Sequence, residues 1–547
     1  MPETDRSDGV VMADDATRHW ADWEGRREAH FGDRVVSCFS ARPTSFHDLL
    51  ADAARRLPDQ EALVDADERL TWREVERHVA AIGGGLLERG IRPGDRVALL
   101  VGNHNAFVLS LFAIARIGAI AVPLGTRQQR PEVAFALENC GAKLLISDAG
   151  LADRVPDRSE TPRLAYRVTV GGGDGADEFA ELLAGTPCDP VPVGEQDTAA
   201  ILYTSGTTGR PKGAMLTHLG IVHSAMVYVH CMRLTSSDRC VNAVPLSHVT
   251  GLIAGIAAMA RCAGPLVIMP EFRAAMFLPL ASRERMTYTL MVPAMYNLCL
   301  LQPNLQDHDL SAWRIGGFGG APMPPATITA LAHTLPGLTL MNVYGSTETT
   351  SPVTLTPPGL IGLHGDSVGV AAPGTDLLVV DDLGRELPPN DIGEIWVRGP
   401  SVVKGYWDNP SATASELTGG FWHSGDLGML DGSGFLYVVD RKKDMLNRGG
   451  HKIYTAEVEA VLASHPAVIE SAVVGRPCPV LGERVHAVVT VRSDAASAKD
   501  IRDYCAERLS DYKVPETLDL RLDPLPRNSN GKIMKRVLRE SVLGSPS

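Results

Sequence analysis

The segment Ile201-Leu-Tyr-Thr-Ser-Gly-Thr-Thr-Gly-Arg-Pro-Lys-Gly213 carries the densest chemistry in the chain. An apolar run with strand character ends in a loop where Gly206 and Gly209 permit close approach of backbone to a ligand. Thr204, Ser205, Thr207 and Thr208 add hydroxyl donors, and Lys212 adds a positive charge. Such a set reads as a phosphate cradle. It is not the GxxxxGK[ST] pattern, because the spacing differs and Pro211 precedes the lysine.

A phosphate loop works only on a rigid frame, and the flanking sequence predicts one. Ser45–Arg56 and Trp72–Arg89 have helical spacing, as does the run Ala106–Arg116. Short apolar runs at Ala62–Val64, Glu68–Thr71, Arg96–Val101, Ala119–Val122, Lys143–Ser147 and Ala199–Thr204 read as strands. This alternation is the rhythm of an α/β sheet. From Leu377 the texture changes to short β segments, Leu377–Val380, Gly393–Val397 and Phe435–Val439, separated by Gly and Pro turns. The charged run Asp440–Asp444 follows as a candidate hinge, and a small α+β pattern runs to the end. Gly171–Gly175 lacks a following dinucleotide-binding helix and reads as a surface loop.

Size and charge narrow the function classes. The chain has 547 residues, 44% hydrophobic and 21% charged, with a net charge of −13. At roughly 100 to 200 residues per domain it holds more than one core. The acidic balance disfavours tracking a nucleic-acid backbone or coating an anionic membrane, while a local basic site for a small phosphate ligand remains compatible. Nine scattered cysteines without a CxxC pair predict buried thiols in a reducing compartment, and the polar stretch Met1–Gly32 predicts no secretory signal. The cytoplasm is the expected location. Leu252–Met269, interrupted by Arg261, Gly264 and Pro265, reads as buried helix and strand and not as a membrane span.

The glycine-rich string resembles the signature of the adenylate-forming superfamily, which groups acyl-CoA synthetases, nonribosomal-peptide adenylation domains and firefly-type luciferases. Further motifs of that superfamily recur in order from about Phe46 to Arg539. Gly319-Gly320-Ala321-Pro322 and Met341–Glu348 resemble its adenine and acyl-pocket strands. The resemblance implies that Gly320, Ala321, Pro322 and Tyr344 flank the base, and that Asn342 reads its exocyclic amine. It further implies that Thr347 meets the α-phosphate and that Glu348 holds Mg2+, for which a carboxylate oxygen is a suitable ligand. Phe421–Asp426 resembles the ribose motif, with Asp426 accepting from both hydroxyls. Arg441 matches a second ribose contact and Lys443 the hinge.

Leu525–Ile533 resembles the loop that carries the catalytic lysine, Lys532, although Asn530 stands where serine is common. The chemistry explains the requirement. A carboxylate and a phosphate must approach each other while negative charge builds on phosphorus, and a cation bridging their oxygens lowers that barrier.

The branch of the superfamily is read from discriminating positions. Val244–His248 lacks the aspartate that amino-acid-activating members use, and His248 matches the ring that lines the acyl pocket of acyl-CoA synthetases. At Gly345 acetate-specific members place a tryptophan, so glycine, with Gly319 on the facing strand, predicts a larger pocket. Leu290, Met291, Val292, Met295 and Tyr296 supply an apolar wall, a pattern equally consistent with core packing. Tyr512, Lys513, Gly449 and Gly450 resemble coenzyme A contacts.

The expectation is therefore an α/β protein with a large N-terminal domain of two α/β sheet subdomains and a small β-rich subdomain, followed by a small mobile α+β C-terminal domain. The expected boundaries are 1–43 as an extension, 44–440 as the AMP-binding domain and 441–547 as the cap. The expected activity is ligation of a medium-chain, branched or aryl carboxylic acid to coenzyme A, with ATP and Mg2+, through an acyl-adenylate. Loading of a carrier-protein phosphopantetheine is the alternative. The extension could dock on a partner or be disordered, and a homodimer is left open.

Overall fold

The computed structural model describes residues 19–20, 22–66, 68–172, 178–204, 211–493, 497–527 and 533–544. Their contacts separate into two compact units: residues 1–377, 396–423 and 431–436, and residues 378–395, 424–430 and 437–547.

Two sheets organise the first unit. The six-stranded sheet runs edge to edge through Lys212–Thr217, Thr198–Thr204, Ile120–Pro123, Arg96–Leu100, Leu144–Asp148 and Tyr166–Val170. All its pairings are parallel except at the Lys212–Thr217 edge. The nine-stranded sheet has six parallel strands at its centre, from Thr339–Ser346 through Ile315–Gly319, Tyr288–Met291, Cys240–Asn242 and Leu266–Ile268 to Glu61–Asp65. Antiparallel strands close its two ends. Parallel strands need both faces covered, which explains their runs of Val, Ile and Leu.

The helix Asn105–Arg116 is buried at all twelve positions, as a helix apolar on every side must be. The stretch that could pass for a membrane span resolves into a π-helix, Gly251–Ala257, a short α-helix, Ala258–Cys262, and the strand Leu266–Ile268. Among the described residues no helix is long and apolar enough to cross a membrane. At the early helices Ser45 and Thr71 each form a capping box, with Asp48 and Glu74 respectively.

The region before Pro43 contains an element that sequence reading missed. Gly25–His30 and Arg34–Phe39 form an antiparallel hairpin, and Val36 and Cys38 pack on Leu219. Arg42 joins Glu28 of this hairpin to Glu195 at 2.7 and 2.8 Å. The Arg42 guanidinium holds the Glu28 carboxyl down at about 2. The described part of the expected extension is thus built into the first unit.

In the second unit, Gly482–Val491 is flanked by Val468–Cys478 and Thr517–Arg521, and by Leu446–Arg448 beyond its end, with His451–Ile453 outermost. Its core of Val, Ile and Leu side chains packs beneath the helices Thr455–Ala463 and Ala498–Ala506. The unit also takes in parts of the β-rich sheet built on Asp376–Val380, Gly393–Arg398, Phe421–Leu430 and Leu436–Arg441. The four expected layers, two α/β sheets, a β-rich sheet and a small α+β sheet, are all present.

Candidate active site

Thr204 ends one strand and Lys212 begins its antiparallel neighbour, and the two are register partners. The glycine-rich loop therefore leaves and re-enters the sheet at one place. Ser205, Gly206, Thr207, Thr208 and Gly209 lie outside the described residues.

At this doorway the Thr204 hydroxyl donates to Glu348 Oε1 at 3.1 Å. Glu348 follows the strand Thr339–Ser346 and is buried. A second hydroxyl joins them: Tyr406 OH lies 3.3 Å from the same Glu348 oxygen and 2.6 Å from Glu416 Oε2. Glu416 pairs with Lys212 through its other oxygen, and the Lys212 ammonium sits 4.4 Å from the centre of the Tyr406 ring. Burial, with the carboxylates of Glu348 and Glu416 beside it, pushes the Tyr406 phenol well above its ordinary pKa. The cluster offers a buried carboxylate flanked by hydroxyl oxygens and no soft ligand, which fits a hard cation such as Mg2+.

The candidate adenine strand, Thr339–Ser346, is equally constrained. Asn342 is buried and its Nδ2 donates to the Ser367 carbonyl at 3.1 Å. This turns Oδ1, the acceptor an exocyclic amine requires, to the other side. Tyr344 and Thr347 are half-buried, while Gly320, Ala321 and Pro322 are exposed at the end of the neighbouring strand.

At Gly345 and Gly319, expected to give pocket room, the structure adds a backbone constraint. A Cβ on Gly345 would lie 1.5 Å from the Ser351 carbonyl oxygen, and one on Gly319 would lie 2.3 Å from the Val343 oxygen. As the chain stands, both glycines are demanded by adjoining backbone. The apolar wall divides as well. Met291 and Tyr296 have no exposed surface, and Met295 belongs to the same core around Phe318 and Trp313. Tyr296 OH is committed to the Gly317 carbonyl at 2.8 Å. Leu290 is half-buried against Gly317, and Val292 is exposed.

His248 stands just before the π-helix, with its Nδ1 accepting the Thr250 amide at 3.2 Å, so a neutral ring carries its proton on Nε2. Its loop is clamped by a residue the sequence did not single out. Asn103 donates to the carbonyls of Val244 and Met269 and accepts from the Leu246 amide.

The second unit brings the two ribose candidates together: Arg441 Nε lies 2.6 Å from Asp426 Oδ1. Lys443 is exposed in the turn that links the strands Leu436–Arg441 and Leu446–Arg448. Gly449 and Gly450, at φ +60° and +90°, form the two-residue turn of the next hairpin, a conformation favouring glycine. Tyr512 stacks on His451 of that hairpin, ring centres 4.5 Å apart, which unites two of the coenzyme A candidates at one place. Lys513 is held by both oxygens of Glu457 at 2.7 Å. Lys532 lies outside the described residues, though Lys535 beyond it is anchored to Thr455 and Glu459.

Comparison with known proteins identifies the family. The family model described as AMP-binding enzyme matches residues 50–407, and the AMP-binding enzyme C-terminal domain matches 457–532. A feruloyl-CoA synthase from Amycolatopsis sp is 38% identical over 488 residues, 89% of this chain and 96% of that protein. A long-chain-fatty-acid–CoA ligase from Mycobacterium tuberculosis is 34% identical over 90% of this chain and 97% of its own length. Among solved structures, an anthranilate CoA ligase in complex with anthranoyl-AMP superimposes with TM-score 0.83 at 27% identity, covering 91% of this chain and 97% of that one. An o-succinylbenzoate CoA synthetase from Bacillus subtilis gives TM-score 0.82 at 29% identity, covering 92% and 99%.

Proposed function

Because the chain belongs to the AMP-binding enzyme family and is an AMP-forming acyl-CoA ligase working with ATP, Mg2+ and coenzyme A, we propose that it acts on an aryl, branched or medium-length carboxylic acid. The relatives named for feruloyl, long-chain fatty and anthranilate substrates support an acid larger than acetate. The absence of an acid in Val244–His248 argues against an amino-acid substrate, whose ammonium would need one.

The nucleotide site rests on one observation. Thr204, Lys212 and Glu348, from three stretches of chain, meet in a single linked cluster at the mouth of the glycine-rich loop. Lys212 and the loop from Thr204 to Gly209 bind the phosphates, and Glu348 holds Mg2+, which when bound supplies charge neutralisation at phosphate oxygens. Thr347 meets the α-phosphate. Gly320, Ala321, Pro322 and Tyr344 flank adenine, Asn342 accepts from its amine, and Asp426 and Arg441 bind the ribose hydroxyls.

In the first half-reaction a carboxylate oxygen of the acid attacks the α-phosphorus and the bond to pyrophosphate breaks. Lys532 bridges the two anions, a contact whose loss typically costs about 10² to 10³ in rate. In the second, the thiolate of coenzyme A attacks the acyl carbonyl and AMP leaves. Residues 441–547 act as a cap that turns at Lys443, exchanging Lys532 for Gly449, Gly450, Tyr512 and Lys513. His248 lines the acyl pocket with Leu290. Nine unpaired cysteines, eight of them buried, support the cytoplasm as the compartment.

Pyrophosphate release over a panel of acetate, octanoate, benzoate and ferulate tests the substrate class. The favoured acid should exceed acetate by at least about tenfold in kcat/KM, the least a few methylenes contribute. Acetate as best substrate refutes the proposal. An adenylate discharged by a holo-carrier protein and not by coenzyme A would shift the acceptor to the alternative.

A further inference from the structure

Tyr406 touches every charged member of the phosphate-side cluster. Its hydroxyl lies between the carboxylates of Glu348 and Glu416, at 3.3 and 2.6 Å, and its ring lies 4.4 Å from the Lys212 ammonium. Its backbone is fixed from three sides. The flanking residues pair with the Lys212–Thr217 strand, through the Trp407 amide to the Gly213 carbonyl at 2.7 Å and the Met215 amide to the Gly405 carbonyl at 3.1 Å. The Tyr406 amide donates to Thr413 Oγ1 at 3.0 Å, and the Val403 amide donates to the Glu348 carbonyl at 2.9 Å. Glu416 ends the helix Pro410–Glu416, whose start is capped by Asn409.

We infer that Tyr406, with Glu416 as its partner, is a positioning residue that holds Lys212 and Glu348 at a fixed spacing for a magnesium–triphosphate ligand. This rests on the reading that Lys212 meets the phosphates and Glu348 the cation. A free lysine loses up to about 2 kcal/mol of rotamer entropy when it is immobilised. Here a carboxylate and an aromatic face restrict the side chain beforehand, using one of its three ammonium donors and leaving two for phosphate oxygens. The phenol donates its single proton to one carboxylate at a time. When that proton lies toward Glu416, at 2.6 Å, the Thr204 hydroxyl still donates to the Glu348 oxygen at 3.1 Å.

Calorimetric titration of the full chain with MgATP and, separately, with AMP tests the inference without relying on turnover. Tyr406→Phe keeps the ring and removes the hydroxyl, and Glu416→Gln removes the carboxylate charge that pairs with Lys212. Each should weaken MgATP binding about tenfold, the scale of a charge-assisted hydrogen bond. AMP binding should stay within about twofold, because AMP lacks the β- and γ-phosphates, and thermal midpoints should stay near that of the unaltered chain. Tyr406→Leu, which also removes the ring, should weaken MgATP binding further, and Glu416→Asp should recover part of the loss. MgATP binding unchanged or tightened in Glu416→Gln, or an equal loss of AMP and MgATP affinity with a lowered midpoint, overturns the inference. If Lys212→Ala and Glu348→Gln also leave MgATP binding intact, the underlying phosphate-site reading fails. If those two weaken it while Tyr406→Phe does not, only the positioning role fails.

Discussion

Replacing Gly345 with alanine separates backbone constraint from acyl-pocket room. Gly345 sits where the pairing of Thr339–Ser346 with Ser351–Leu355 slips register. A Cβ there would lie 1.5 Å from the Ser351 oxygen and 2.6 Å from its carbonyl carbon, whereas ordinary contact begins at 3.4 Å. The two arms must part by about 2 Å, and neither can turn aside as a side chain would. Overpacking typically costs about 1 to 3 kcal/mol, and a backbone obstacle belongs at the upper end. In a unit of roughly 410 residues the unfolding entropy is large, so each kcal/mol moves the melting point by only about 1 °C, and the expected drop is about 3 °C. Gly337→Ala is the control, since a Cβ there meets nothing within 4 Å. Because Thr347 and Glu348 follow directly, MgATP affinity should fall with the melting point. If Gly345→Ala melts with the control and merely shifts acid preference, the close-approach argument is wrong and the pocket-room reading returns.

Stability should also fall in mild acid. Burial holds His47, His218 and His223 down at about 4, against 6.5 for an exposed ring. The His218 Nδ1 accepts the Phe46 amide, a bond that protonation would break. Between pH 6.5 and 4 the unfolded chain takes up protons that the folded chain refuses, so stability is full above pH 6.5 and declines below it. The steepest slope is on the order of 1 kcal/mol per pH unit for each histidine. A melting point that stays flat from pH 7 to 5 would contradict this, and His223→Gln should reduce the slope. Tyr512→Ala should raise the KM for coenzyme A about tenfold, the scale of a lost aromatic contact, while ATP–pyrophosphate exchange is unchanged; loss of both would mean a folding defect. Lys443→Pro should spare adenylate formation and slow thioester formation by tenfold or more, on the order of other hinge changes, as single-turnover kinetics would show. Asp426→Ala should raise the KM for ATP, and an unchanged value would remove Asp426 from the ribose site.

The linear order of elements was legible because apolar period and turn chemistry are local. The helical spacing of Trp72–Arg89 and the apolar runs Arg96–Val101 and Ala119–Val122 are properties of consecutive residues. Thr204, Lys212 and Glu348, which the structure brings together, stood out for a related reason: they lie in short strings of residue types suited to phosphate and cation chemistry. The hairpin Gly25–Phe39 was not, since it is held by Arg42 reaching Glu195 and by packing on Leu219, contacts more than 150 residues away. Tyr406, Glu416 and Asn103 escaped for the same cause. A tyrosine before a tryptophan, or an asparagine after a glycine, says nothing about a carboxylate or a carbonyl brought to it from elsewhere in the chain.

Sequence alone therefore determined the α/β alternation and the family resemblance, and offered the glycine-rich string as a candidate phosphate loop, each encoded within a few consecutive residues. Tertiary structure decided what those residues touch. It showed that Gly345 and Gly319 are glycine because another backbone lies against them, that Met295 and Tyr296 serve the core, and that Lys212 and Glu348 are joined through Tyr406. Side-chain identity and spacing fix what a group can do, but which partner fills its bonding capacity depends on chain crossings that only the folded sheets create.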